Sequence, residues 1–250
     1  AGRAAKKHNV PFVVTTHYHG TGHSPLRKLM HIPYRFIGAG MLETAQRIIC
    51  VSEMERQLLQ EHFSSDLPTT VIPNGVEIAP ILEAQPNNHD PARKVILCSG
   101  RMEHYKQADM LVKAAPHLPH NYDVIITGDG PAREHLESLI KELQLEGRVR
   151  LPGYISREEL LGWFRRADVF VSMSKNEAFG LAVLEGAAGG ASVVASDIPA
   201  HREIATEYVG TDVIKLVALD STPRQLAETI QQAAAQHPTS QPANWALPTW

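Results

Sequence analysis

Short runs of apolar, mostly β-branched residues recur along this chain: Phe12–Thr16, Arg47–Val51, Thr69–Ile72, Lys94–Cys98, Asp123–Thr127, Val149–Leu151, Val169–Met173, Ser192–Ala195 and Asp212–Val217. Most are apolar throughout instead of alternating, which marks strands covered on both faces in a parallel sheet. Helical patterns stand between them. "SEMERQLLQEHF" opens with Ser52 and Glu55 at capping-box spacing, and "SREELLGWFRRA" does the same with Ser156 and Glu159. "PAREHLESLIKELQLEG" runs from Pro131 to Gly147, the residues that favour a helix start and a helix stop. Strand and helix alternating at this rhythm predict an α/β protein with doubly wound parallel sheets.

The rhythm breaks between Glu77 and Lys94, where Pro80, Pro86 and Pro91 accompany Asn87 and Asn88. This reads as a linker, and it divides the 250 residues into a domain over 1–78, a linker over 79–92 and a second domain over 93–236. The Pro-rich residues 237–250 form a tail or crossover linker. The formal charge is −3, yet the first 42 residues carry six cations and no Asp or Glu, leaving −9 for the rest. That distribution argues against nucleic-acid binding by the whole molecule and places a basic surface near the start. Cys50 and Cys98 both lie in apolar runs and read as buried thiols of a reducing compartment. No apolar run is as long as a membrane span.

"VTTHYHGTGH" sets His17, His19 and His23 after the first strand. In an extended chain His17 and His19 share a side, and zinc accepts three imidazoles. Metal-bound histidines, however, pass their second N–H to a carboxylate or carbonyl, and the surroundings here are Arg3, Lys6, Lys7, Arg27, Lys28 and Arg35. The setting suits an anion, and no metal is assigned.

The chemistry concentrates in "KNEAFGLAVLEGAAGG". Glu177 follows the strand Val169–Met173 into the crevice where α/β proteins bind ligands. The N–H groups of Phe179, Gly180 and Leu181 then stand at a helix N-terminus, a cradle for phosphate oxygens. Glu185, two turns on, can reach a diol such as a ribose. In "CSGRMEHYKQADMLVKA", Arg101 and Lys106 follow the strand that Gly100 ends. Two cations there would neutralise a diphosphate, the Arg as a planar fork and the Lys as a point charge. They can replace Mg²⁺ on a leaving nucleoside diphosphate. Gly128, Gly130 and Gly153 allow close backbone approach to a ligand. They fail as a dinucleotide fingerprint, since Arg133 stands where a third glycine belongs.

These motifs, with "VIPNGVE" over Val71–Glu77, closely resemble the retaining glycosyltransferases of family 4, which have the GT-B fold. The resemblance runs along almost the whole chain. It implies two Rossmann-like domains facing a cleft, with a nucleotide sugar held mostly by the second. By the same resemblance Arg101 and Lys106 grip the diphosphate, and Glu177 binds the donor sugar. The contacts of Glu177 extend through Ala178, Phe179, Gly180 and Leu181. Glu185 takes the ribose, Gly153, Tyr154 and Ile155 lie near the base, Gly128 is a further substrate-binding candidate, and His17 points at the donor sugar and reacting centre. His19 is a candidate acceptor contact. Two positions depart from the pattern: Gln107 replaces a glycine after Lys106, and Ser192 replaces a proline in "GASVV". The glycine-rich first strand–loop of the family is not in this chain, so the N-terminal domain is expected to be incomplete.

The activity expected is transfer of a hexosyl group from a UDP- or GDP-linked sugar, with retention and with no cofactor, to a lipid, glycan or small-molecule acceptor. The expected location is cytoplasmic, with "SPLRKLMHIPYRF" as a candidate contact with the inner face of a membrane. Other readings are a nucleotide-sugar epimerase-like or phosphorylase-like protein, a non-catalytic nucleotide-sugar-binding module, and a His-cluster metallohydrolase.

Overall fold

The computed structural model describes residues 2–20 and 38–236. His23, the basic stretch around Arg27, Lys28 and Arg35, and the tail from residue 237 lie outside the described residues. The chain separates into two units. One holds residues up to Asn74 together with Glu177–Phe179, and the other holds Gly75–Asn176 and the chain from Gly180 onward.

In the first unit, helix α1 (Gly2–Lys7) leads into β1 (Val13–Thr15); β2 (Arg47–Cys50), α2 (Glu53–His62) and β3 (Thr69–Val71) follow. The three strands are parallel, in the order β1-β2-β3. Central β2 is buried through Ile48 and Cys50, and Tyr18, Leu42, Leu59 and Leu67 pack with them. Burial, with the Glu55 carboxylate adding to it, pushes the Cys50 thiol up to about 12, so it is an inert core group. Cys98 is only half-buried, and neither cysteine is in a disulfide. Edge strand β1 pairs with β2 alone among the described residues, and Val13 is 53% exposed.

The second unit starts at Gly75 and takes in the stretch read as linker. Ile78–Glu83 fold into helix α3, whose Ile81 is buried. Residues 85–87 then cross the helix α6 (Arg157–Arg166) at Gly162, where a Cβ would come within 2.3 Å of Asn87 Oδ1. Asn87 Nδ2 donates to the Glu159 carbonyl at 2.8 Å, so the crossing is fixed.

Six strands form the sheet: β4 (Lys94–Ser99), β5 (Tyr122–Thr127), β6 (Val149–Gly153), β7 (Val169–Ser172), β8 (Ser192–Ser196) and β9 (Ile214–Val217). All pairs are parallel, in the order β6-β5-β4-β7-β8-β9. The remaining helices are α4 (Ala108–Ala114), α5 (Arg133–Glu142), α7 (Leu181–Ala188), α8 (Pro199–Ile204) and α9 (Pro223–Ala235). Residues 95–97, 169–171 and 193–195 are buried throughout, the two-sided burial their apolar runs required. The strand order reverses between β4 and β7. At such a switch point the loops from the carboxyl ends of the two strands diverge and leave a crevice. Among the described residues no helix is long and apolar enough to cross a membrane.

Candidate active site

In the second unit the loops after β4, β5 and β6 are laced together by main-chain bonds. Gly100 N–H donates to the Thr127 carbonyl at 3.2 Å, Met102 N–H to Asp129 at 2.8 Å, and Gly128 N–H to Gly153 at 2.8 Å. Gly128 has φ +106°, and a Cβ there would stand 2.1 Å from the Gly100 carbonyl oxygen. At Gly128 and Gly130 the space a Cβ would fill is taken by the protein's own backbone, whereas at Gly153 the nearest atom is in the Arg133 guanidinium, 3.1 Å away. The lacing fixes the base of the β4 loop and buries Met102, so that Arg101 projects outward with its side chain 72% exposed. Its Nη2 lies 2.5 Å from Glu103 Oε1, a counter-ion that sequence reading missed.

Lys106 ends the turn His104–Lys106, its Nζ 5.6 Å from the centre of the Tyr105 ring. Lys175 N–H, in the loop after β7, donates to the Tyr105 carbonyl at 2.8 Å and ties the two loops at the switch point together. Next comes Gln107 at φ +50°, ψ +38°. The backbone here is left-handed, which accounts for the glycine expected at this place. A side chain in that conformation costs about 1–2 kcal/mol. Gln107 Oε1 is also buried without a partner.

Gly180 caps α7 at φ +100° and no side chain caps the helix, while Val183 N–H of the first turn donates to the Gly180 carbonyl at 3.0 Å. Leu181 is exposed and Phe179 buried. Glu185 is half-buried on α7. Burial pushes its carboxyl from an ordinary 4.5 up to about 6, against the pull of the Arg157 charge. Gly153, at φ +80°, turns the chain so that Tyr154 stands 79% exposed beside half-buried Ile155.

In the first unit the sequence placed His17 and His19 on one side of an extended chain. The structure corrects this: His17 has φ +52°, the chain turns there, and His17 is exposed while His19 is half-buried. The turn is held by Glu55, which is fully buried. Thr16 Oγ1 donates to Glu55 Oε1 at 2.6 Å, Tyr18 N–H donates to the same oxygen, and Val51 N–H donates to Oε2 at 2.6 Å. The Tyr18 hydroxyl lies 2.7 Å from His62 Nδ1, and its ring meets His62 and Phe63 edge-on. The expected capping box is thus half-formed. Ser52 Oγ accepts from Glu55 N–H at 3.0 Å, but the Glu55 side chain serves the histidine turn instead of the Ser52 amide. Ser52 Oγ also donates to the Ala178 carbonyl at 2.7 Å, within the Glu177–Phe179 segment that packs with this unit. Glu177 itself is half-buried there. One signal in the sequence pointed to Glu55: it stands four residues before Leu59 and so shares the buried face of α2.

The profile of the group 1 glycosyl transferases matches residues 82–245. The chain belongs to that family. A second profile, Glycosyltransferase Family 4, matches residues 1–79 of this group 1 glycosyl transferase. The chain is 30% identical over 215 residues to the D-inositol 3-phosphate glycosyltransferase of Kineococcus radiotolerans, covering 76% of this chain and 49% of that protein. It is 26% identical to the alpha-monoglucosyldiacylglycerol synthase of Streptococcus pneumoniae, covering 78% and 48%. It spans about half the length of these relatives. The fold matches sucrose-phosphate synthase from Thermosynechococcus elongatus with a TM-score of 0.79 at 23% identity, over 94% of this chain and 63% of that one. It matches Anabaena HepE, solved with UDP and glucose, with a TM-score of 0.77 at 19% identity, over 94% and 67%. The architecture of this group 1 glycosyl transferase is the GT-B fold.

Proposed function

We propose that this group 1 glycosyl transferase moves a hexosyl group from a UDP- or GDP-linked sugar to a hydroxyl of a lipid, glycan or small molecule, with retention of configuration and without a metal. The observation that carries this reading is the pairing at the switch point of the second unit. A rigidly based loop presents Arg101 and Lys106 at the end of β4, and the chain that follows β7 leads to the uncapped N-terminus of α7. Both features take phosphate oxygens. Glu185 then accepts from the ribose hydroxyls, and Tyr154 offers a ring face for the base.

In the transfer, the bond between sugar C1 and the diphosphate oxygen breaks and a bond from C1 to the acceptor oxygen forms. The acceptor hydroxyl releases its proton to solvent, and the nucleoside diphosphate leaves with one more negative charge than it carried in the donor. Arg101, Lys106 and the α7 amide groups stabilise that charge as it develops, the role a divalent ion would otherwise fill. Glu177 holds sugar hydroxyls, and His17 contacts the sugar near C1. The relatives' names give an inositol phosphate as a substrate and a monoglucosyldiacylglycerol as a product. Glycosylating the one and forming the other both consume a hydroxyl group, and that is the acceptor class proposed here. Membrane contact through the basic N-terminal stretch rests on its composition.

The test is a panel of UDP- and GDP-sugars incubated with alcohol acceptors, with and without chelator, with the product anomer read by NMR. A product of inverted configuration, turnover that chelator abolishes, or donor epimerised without acceptor would each overturn the corresponding part of the proposal.

A further inference from the structure

We propose that Glu55 is a positioning residue for His17, setting the histidine's backbone through the residues on either side of it; this rests on the role given to His17 above. Three donors converge on the Glu55 carboxylate, and two of them, the Thr16 hydroxyl and the Tyr18 amide, flank His17 in the chain. The third, Val51 N–H, belongs to the end of β2, so the carboxylate ties the histidine turn to the central strand of its sheet. A left-handed histidine is strained and persists only where its neighbours over-determine it. The clamp supplies that determination: Thr16 is also held by its N–H to the Ile49 carbonyl at 3.3 Å, and Tyr18 is buried against His62 and Phe63. Half-buried Thr16 and buried Tyr18 are held while His17 itself is exposed, the arrangement of a side chain presented outward from a rigid base. A helix cap needs none of this, because Ser52 caps α2 without help from the Glu55 carboxylate.

A positioning residue acts through its target, and a double-mutant cycle detects that. Wild type, Glu55→Gln, Thr16→Val, His17→Ala and the pair Glu55→Gln with His17→Ala are assayed as full chains with UDP-glucose, UDP-N-acetylglucosamine and GDP-mannose. UDP affinity is measured for each as the control on the donor site. Glu55→Gln keeps an acceptor but turns an N–H₂ toward one of the three donors. It is expected to lower kcat about tenfold, with donor KM and UDP affinity unchanged, and to cost nothing further once His17 is alanine. Thr16→Val should show the same pattern more weakly.

A loss that multiplies on top of His17→Ala, or one carried by KM, would assign Glu55 to folding or donor binding and overturn the proposal. Unchanged turnover in His17→Ala with intact UDP binding would remove the role of His17, and the proposal with it, while leaving the donor site standing. Amide exchange decides the clamp without turnover. Tyr18 N–H is expected to exchange slowly in wild type and about tenfold faster in Glu55→Ala. Exchange in wild type as fast as in an open loop would overturn the clamp.

Discussion

Gln107 shows how a single residue carries both a family pattern and its breach. The turn after Lys106 needs a left-handed residue, and Gln107 adopts it with its Oε1 buried and unpartnered. Gln107→Gly is therefore expected to raise stability by about 1 kcal/mol, read from the denaturant midpoint, without lowering UDP affinity; a lowered midpoint would show that the glutamine makes contacts worth more than its strain. Glu185 carries the opposite bargain. Its folded value near 6 lies above the ordinary 4.5, so its protonated form adds stability that is complete below about 4.5 and lost as pH rises through about 6. At pH 7 that is about 2 kcal/mol forgone. Glu185→Gln should flatten the stability profile between these values and be the more stable protein at pH 7, yet bind nucleoside diphosphate more weakly. An unchanged profile would mean that the carboxyl is solvated. At this scale the sequence exposed the polar residues that break apolar patterns, and so singled out Arg101, Lys106, Glu177, Glu185 and His17 as candidates. It did not expose partners brought from afar, such as Glu55 beneath His17, because a carboxylate three residues after a serine is also what a helix cap looks like.

Among the elements, the apolar runs located the strands because two-sided burial leaves little room for polar residues. The helix ends were less legible. Pro131 and Gly147 mark α5 in the sequence, but the helix runs only from Arg133 to Glu142. At its start, Ala132 N–H is taken by the Met102 carbonyl at 2.8 Å, so the lacing of the loops delays the helix. At its end, Gln144 takes a left-handed φ of +55° and Leu145 N–H reaches back to the Ile140 carbonyl at 2.9 Å, which stops the helix before Gly147 is needed. Sequence reading also passed over the complete capping box of α9, made by Thr222 and Gln225. At the amino ends of the strands, Asp168 accepts from Lys94 Nζ at 2.8 Å, Val95 N–H at 2.8 Å and Arg166 Nη1 at 2.9 Å, fastening β4 to the start of β7. Burial pushes its carboxyl upward, but the three donors outweigh that and hold it below the usual range. Its contribution is therefore present above the unfolded value and lost as pH falls below it. Asp168→Asn is expected to cost about 3 kcal/mol at neutral pH and to leave less to lose on acidification. A cost within 0.5 kcal/mol, the range of an ordinary surface substitution, would show that the network adds nothing net.

For the whole molecule, the two units divide the proposed chemistry. The six-stranded unit carries both cations, the α7 terminus, Glu185 and the Tyr154 turn, so the proposed nucleoside diphosphate binding is assigned to it; the first unit holds His17 on a strained and clamped turn. Binding of donor alone does not lower the barrier to transfer, which needs the reacting groups held in register. The central claim is that Arg101 and Lys106 grip the diphosphate, and calorimetric titration of UDP and GDP into wild type, Arg101→Ala and Lys106→Ala tests it most directly. Loss of a charge-assisted hydrogen bond, about 1.5–3 kcal/mol, predicts affinity for the preferred nucleotide lower by about tenfold to a hundredfold in each variant. Affinity equal to wild type in both would contradict the assignment of the donor site.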